Sequence, residues 1–253
     1  MNVIAIANRK GGVAKTTTAI NFSYALGLKR YKVLLVDLDP MRGATFSLGL
    51  TSDFGIEDYL EERRAFKDCI FKGHIIDILP AGPGLTNLEE RLYREIPGTF
   101  KYLAEHFKKE LLNYDFTILD CGPAVSALMV NALSFCNNII IPVRCDYMSL
   151  EALADMLQDI GEIKRSKLNP DLNLLAIVPT FYSQHLNICK YAVTELKSKF
   201  HKVITKTYIR TNSALSEAPA YSKSIFSYKG SSYGAQDYNA LTTELLKRIK
   251  RGE

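Results

Sequence analysis

The sequence predicts an α/β fold: a single doubly wound, mostly parallel sheet with helices on both faces. Three observations carry this. Short continuous runs of Val, Ile and Leu recur along the chain, they alternate with longer segments of helical period, and a glycine-rich turn separates the first run from the first helix. Continuous apolar runs suit strands covered on both faces, and strand–helix alternation makes parallel crossovers the natural connection. In sheets of this kind a ligand sits beyond the carboxyl ends of the strands.

Strands are expected at 3–7, 33–37, 75–79, 116–120, 139–143, 174–178 and 203–208. Helices are expected near 16–27, 85–94, 99–112, 127–135, 149–167 and 187–200. No internal repeat, low-complexity stretch or Pro/Gly-rich linker divides the chain, so residues 1–253 read as one domain, a size well able to bury a core. Hydrophobic residues at 47% and charged residues at 23% are the composition of a soluble globular protein. The formal charge of +5 is mildly basic and compatible with a polyanionic partner.

No apolar run approaches the roughly 18–20 residues that cross a bilayer. The N-terminus opens on an apolar strand without a basic leader, so the expected location is the cytoplasm. Five cysteines (Cys69, Cys121, Cys136, Cys145 and Cys189) contain no CxxC pair, and four histidines lack ligand spacing. Neither a disulfide framework nor a zinc site is expected.

The chemistry begins after the first strand, at Asn8-Arg9-Lys10-Gly11-Gly12-Val13-Ala14-Lys15-Thr16-Thr17. Gly11 and Gly12 let the backbone turn tightly so that successive N–H groups face a phosphate, and the helix that follows adds its positive end. Lys15 is placed to neutralise β- and γ-phosphates, and the Thr16 hydroxyl to ligate Mg²⁺. An ordinary glycine-rich turn with a surface lysine lacks this order of strand, turn, Lys-Thr and helix.

The second strand ends in Val36-Asp37-Leu38-Asp39-Pro40. A carboxylate there can hold Mg²⁺ through water or orient an attacking water, although two aspartates after a strand also simply start a loop. A third strand runs Phe116-Thr117-Ile118-Leu119-Asp120 and continues as Cys121-Gly122-Pro123. Its Asp120 is placed to hold Mg²⁺ through a water, and the loop after it to sense the γ-phosphate. Cys121 reads as a small packing residue.

The turn departs from the common GxxxxGK[ST] pattern, with Arg9 and Ala14 at its two glycine positions, and fits xKGGxxK[ST]. On this signature the chain resembles the ParA/MinD family of deviant Walker A P-loop ATPases. The resemblance implies ATP and Mg²⁺ as ligands and residues 10–17 as the phosphate cradle, Val13 and Thr17 included. It implies a sandwich homodimer in which Lys10 reaches the partner's nucleotide. Asp39 matches the family's hydrolytic aspartate. The family usually has glycine where Ala14 stands; if the position needs positive φ, alanine adds about 1 kcal/mol of strain. Met41, Arg42 and Gly43 depart from DxDPQGNAT, and Gly122 replaces the first of two prolines.

The resemblance spans essentially the whole chain. Ile139 to Tyr147 with Leu150-Glu151 is similar to IIPVQCEYYALEG, and Leu215-Ser216-Glu217-Ala218-Pro219 is the LSEAP of ParA proteins. It implies that the stretch holding Arg210 and Asn212 approaches the adenine, with Arg210 standing where proline is usual. It also implies a ParB-like activator, nonspecific DNA binding and association with the nucleoid. Arginines usual at Ala214, Ser231 and Tyr233 are missing, so weaker DNA binding is expected. Arg210, Lys223, Lys229 and the lysines from Lys197 to Lys206 are the candidate substitutes, and a solvated rim explains them equally well.

The expected function is thus a slow, partner-stimulated ATPase that segregates or positions DNA or another large cargo. Two alternatives stay open: a MinD-like membrane-positioning ATPase, and a weakly hydrolysing nucleotide-bound scaffold. The last helix, with Leu241, Leu245, Leu246 and Ile249 on one face and Lys247, Arg248, Lys250 and Arg251 beyond it, reads as core packing more than as a membrane anchor.

Overall fold

A computed structural model describes residues 2–94, 100–107, 109–123 and 125–251. Strand β1 (Asn2–Ile6) leads into helix α1 (Lys15–Leu28) and strand β2 (Val33–Leu38). Three short helices follow, α2 (Gly43–Ser47), α3 (Ile56–Leu60) and α4 (Phe66–Cys69), then β3 (Asp77–Leu79) and α5 (Leu85–Arg94). Helix α6 (Tyr102–Phe107) precedes β4 (Phe116–Cys121), α7 (Ala127–Phe135), β5 (Asn138–Arg144), α8 (Tyr147–Arg165) and β6 (Asn173–Thr180). The chain closes with α9 (Asn187–Phe200), α10 (Ser213–Glu217), α11 (Ile225–Lys229) and α12 (Tyr233–Arg251).

The strands form one parallel sheet in the order β3-β2-β4-β1-β5-β6. Alternate residues of each strand serve opposite faces, as pleat geometry requires. Ile4, Ile6, Val33 and Leu35 pack with Phe22 and Leu26 of α1 and with Tyr238, Leu241 and Leu245 of α12. Val3, Ala5, Leu34 and Val36 pack on the other side with Leu85 and Leu88 of α5, Leu133 of α7 and Met156 of α8. The apolar face of the last helix is therefore core, and no helix among the described residues is long and apolar enough to cross a membrane.

Two expectations need correction. The strand expected at 203–208 does not form. Ile204 makes only an isolated parallel bridge to Ile177, and Arg210 another to Tyr182. The Val203 carbonyl and Thr205 N–H still pair with Ile177, but the next β6 residue facing them, Pro179, has no N–H to continue the ladder, and side chains of α12 hold the backbone from the other side. Glu244 accepts from the Lys206 and Thr207 N–H groups at 2.8 and 3.0 Å, and Arg248 donates to the Val203 and Ile204 carbonyls at 2.8 and 2.7 Å. Arg248, expected on the polar side, is buried and also donates to the Leu175 carbonyl. The helix expected at 99–112 is interrupted: α6 covers 102–107 and a 3₁₀ turn covers Glu110–Asn113, while Thr99 and Lys108 lie outside the described residues.

Truncating Arg248 to methionine should cost about 2–4 kcal/mol in urea unfolding, because buried carbonyls lose their donor and Glu244 loses its counter-charge. A loss below about 0.5 kcal/mol, the scatter of an ordinary surface change, would contradict this role.

Candidate functional site

The turn between β1 and α1 closes over the carboxyl end of the sheet. Gly12 takes φ +70°, as does Ala14 with ψ 35°, so the position that resemblance marks for glycine does need the left-handed region. Asn8 is buried and braces the turn from within: its amide donates to the Pro142 carbonyl at 2.8 Å and its oxygen accepts from the Lys10 N–H at 3.0 Å. Lys15, only 7% exposed, donates to the Lys10 carbonyl at 3.0 Å across the turn. Burial lowers its pKa, and Asp120 and Asp39 oppose that by favouring the ammonium. Sequence placed Lys15 and Thr16 at the phosphate cradle, and the structure brings both to the ends of β2 and β4.

Parallel pairing of β2 with β4 sets Asp37 directly beside Asp120. Both are fully buried. Asp37 accepts from the Thr45 N–H and hydroxyl at 2.8 and 2.7 Å and from the Asp39 N–H at 3.1 Å. Burial still pushes its carboxyl up to about 6, against those hydrogen bonds. Asp120 is pushed well above the carboxylate range, first by burial and then by the Asp37 charge. The Thr16 hydroxyl favours its charged form, yet neither Asp120 oxygen makes a hydrogen bond of good geometry. A buried acceptor pair left open beside a threonine hydroxyl fits a hard cation. No group of three or more His, Cys, Asp or Glu side chains capable of holding a metal occurs among the described residues, so phosphate and water oxygens would complete such a site.

Lys10 lies apart from Lys15. Its ammonium donates to Asp146 and Ser149, both at 3.0 Å, where Asp146 caps the start of α8 by accepting from the Ser149 N–H at 2.8 Å. That pairing helps lower the Asp146 pKa against partial burial. Neighbouring Arg9 is held by Asp159 at 2.6 Å. Sequence reasoning did not find these holders; the one available signal was Asp146 three residues before Ser149, a helix-start spacing.

Beyond the turn a cavity of about 320 Å³ is lined by Ala14, Thr17, Phe181, Ile209, Leu215 and Tyr238, among others, including Arg210 and Asn212. The Asn212 side-chain oxygen is buried without a partner, an acceptor open to a ligand N–H. Arg210 turns away from it: its guanidinium is paired with Asp237 at 2.6 Å and lies 4.2 Å over the Tyr233 ring. Its backbone N–H is also held by Asp237 at 3.0 Å.

Residues 1–174 match a family model described as "AAA domain". The chain is 34% identical over 251 residues to the chromosome partitioning protein ParA of Myxococcus xanthus, covering 97% of this chain and 88% of that protein. To the chromosome-partitioning ATPase Soj of Thermus thermophilus it is 35% identical over 247 residues, covering 98% and 96%. The chain belongs to the ParA/Soj family. In the solved structures, a cobyrinic acid a,c-diamide synthase from Mycobacterium smegmatis with bound ADP and magnesium superposes with a TM-score of 0.85 at 27% identity, covering 100% of this chain and 97% of that one.

Several departures from the family pattern have local reasons. Arg42 takes φ 58° and donates to the Ala81 and Ser52 carbonyls, both at 2.8 Å, tying the loop after β2 to the end of β3. A side chain at Gly43 would place its Cβ 3.1 Å from the Thr16 hydroxyl, and one at Gly122 would place it 3.2 Å from an Asp39 oxygen. Both glycines therefore give site side chains close backbone walls.

Ala14→Gly should stabilise the protein by about 0.5–1 kcal/mol, the left-handed strain relieved less the flexibility gained by the unfolded chain. Thermal or urea unfolding checks this, and a destabilised variant would refute the strain.

The carboxyl pair makes a second prediction. An acid whose folded pKa is raised keeps its proton longer when folded, so its contribution to stability is full below the unfolded value and falls as pH rises through the folded one. For Asp37 that window runs from about 4 to about 6, with Asp120 extending it upward. Asp120→Asn should raise the stability of the nucleotide-free protein at about pH 8 by roughly 1–3 kcal/mol, and flatten the loss across the window. No gain at that pH would show that the Asp120 charge is not costly.

Proposed function

We propose that this chain is an ATP-dependent switch in which ATP and Mg²⁺ close two copies face to face. A partner stimulates slow hydrolysis and so reopens them, and the cycle positions DNA or another large cargo. The names of its ParA and Soj relatives support partition as the setting. The observation that carries the switch is the separation of two lysines on one turn: Lys15 is buried beside Asp120, while Lys10 is held at the rim by Asp146 and Ser149. One cation suffices for the chain's own phosphates; the other is available to a second copy's.

In this reading residues 10–17 cradle the phosphates through backbone N–H groups, with Lys15 neutralising charge. Thr16, Asp39 and Asp120 are the residues that would hold Mg²⁺. Bound Mg²⁺ would draw charge from the γ-phosphoryl group as the transition state forms. Asp39 orients the attacking water, and its side chain stands against the Gly122 backbone, where a change after β4 would move it. Asn212 would accept from the adenine amino group in the cavity beyond Ala14, where guanine carries an acceptor oxygen at the same ring position. Arg210 serves by holding that segment to α12 through Asp237. The whole of residues 1–253 acts as one ATPase unit, in the cytoplasm and at the nucleoid, with a ParB-like protein as activator.

Three variants test the roles together. Lys15→Ala should lose ATP binding in calorimetry. Lys10→Ala should keep monomeric binding and lose ATP-dependent dimer mass or hydrolysis. Asp39→Ala should accumulate an ATP-bound dimer with turnover reduced about 100-fold or more, the scale of removing a water-positioning group. Normal hydrolysis by Asp39→Ala, or an unchanged dimer with Lys10→Ala, would overturn the corresponding role.

A further inference from the structure

We propose that the cleft between α9, the 201–208 segment and α12 is the surface by which this chain holds the phosphate backbone of duplex DNA, without reading sequence. This rests on the reading that DNA is positioned by the switch, and adds where this chain grips it. The cleft has a volume of about 1030 Å³ and is lined by Lys197, His201, Lys202, Lys206, Lys247 and Arg251. All six side chains are exposed.

Among the described residues that line it the only acid is Glu244, which is turned inward. Both Glu244 oxygens accept backbone N–H groups from Lys206 and Thr207, and the charge is matched by Arg248 at 2.9 Å. The five lysine and arginine residues at the rim equal the whole formal excess of +5, so the rest of the chain is balanced. The cleft itself therefore carries a local excess of cations, the electrostatic footprint of a polyanion surface.

The form of the cleft favours an extended polyanion over a small one. Its cations stand on long exposed stems from three separate elements, and no buried orphan donor lies among its lining residues. Such an arrangement meets a row of phosphates and reads no bases. The other candidate cations are less suited. Arg210 is committed to Asp237 and Tyr233. Lys223 and Lys229 are exposed but line none of the clefts described.

The test uses the full chain with ATP and Mg²⁺, titrated against a labelled mixed-sequence duplex across a salt series. Lys202→Ala, Lys206→Ala and Lys247→Ala combined should weaken binding at least about tenfold near 0.1 M salt. The logarithmic salt slope should become shallower by about 3, at roughly 0.9 per lost phosphate contact. Lys223→Ala with Lys229→Ala should stay within about twofold of wild type, and both variants should bind ATP normally. Unchanged affinity and slope in the triple variant would overturn the location while leaving DNA as cargo. An equal loss in the Lys223 and Lys229 variant would do the same. Failure of the wild-type dimer to bind duplex at any salt would overturn both the proposal and DNA as its direct ligand, leaving the ATPase switch standing. Cleft-dependent binding to phosphatidylglycerol vesicles but not to duplex would assign the surface to a membrane instead.

Discussion

Everything at the site depends on one costly juxtaposition, the two buried carboxylates at the ends of β2 and β4. Parallel pairing places Asp37 next to Asp120, burial raises both carboxyls, and the Asp37 charge raises Asp120 further. Asp37 is supported by Thr45 and the Asp39 N–H; Asp120 is left without a good hydrogen bond. Lys15 supplies the opposing charge and is itself partly desolvated. A fold that holds such a pair bears the cost of burying two carboxyls, one of them without a hydrogen-bond partner.

The elements around the pair are fastened by side chains that reach across the sheet. Arg42 ties the loop after β2 to the end of β3, and Asn8 ties the phosphate turn to β5. Asp146 restrains Lys10 from the start of α8.

Helix α12 integrates the distal half. Its Tyr238 hydroxyl shares a hydrogen bond with Thr18 of α1 at 3.1 Å, its Asp237 fixes Arg210 beside the ligand cavity, and its Glu244 and Arg248 hold the 203–207 backbone. The same helix carries Lys247 and Arg251 at the edge of the basic cleft. Cavity, sheet edge and cleft therefore share one helix, whose apolar face is core.

The sequence by itself determined the parallel sheet, because buried strands announce themselves as unbroken apolar runs. It also determined the phosphate turn and the carboxylates Asp37, Asp39 and Asp120, because strand ends and glycine turns are local signals. It even located the strain at Ala14, since a turn that needs positive φ is marked by the glycine expected there. The tertiary structure alone decided the rest. Whether 203–208 became a strand depended on the neighbour it met, since Pro179 of β6 has no N–H to offer and the Thr207 N–H goes to Glu244 of α12 instead. Whether Arg210 faced the ligand depended on Asp237, and where Lys10 rested depended on Asp146. In each case the outcome turned on which distant charge or donor satisfied a buried polar group. Local periodicity carries no record of that choice.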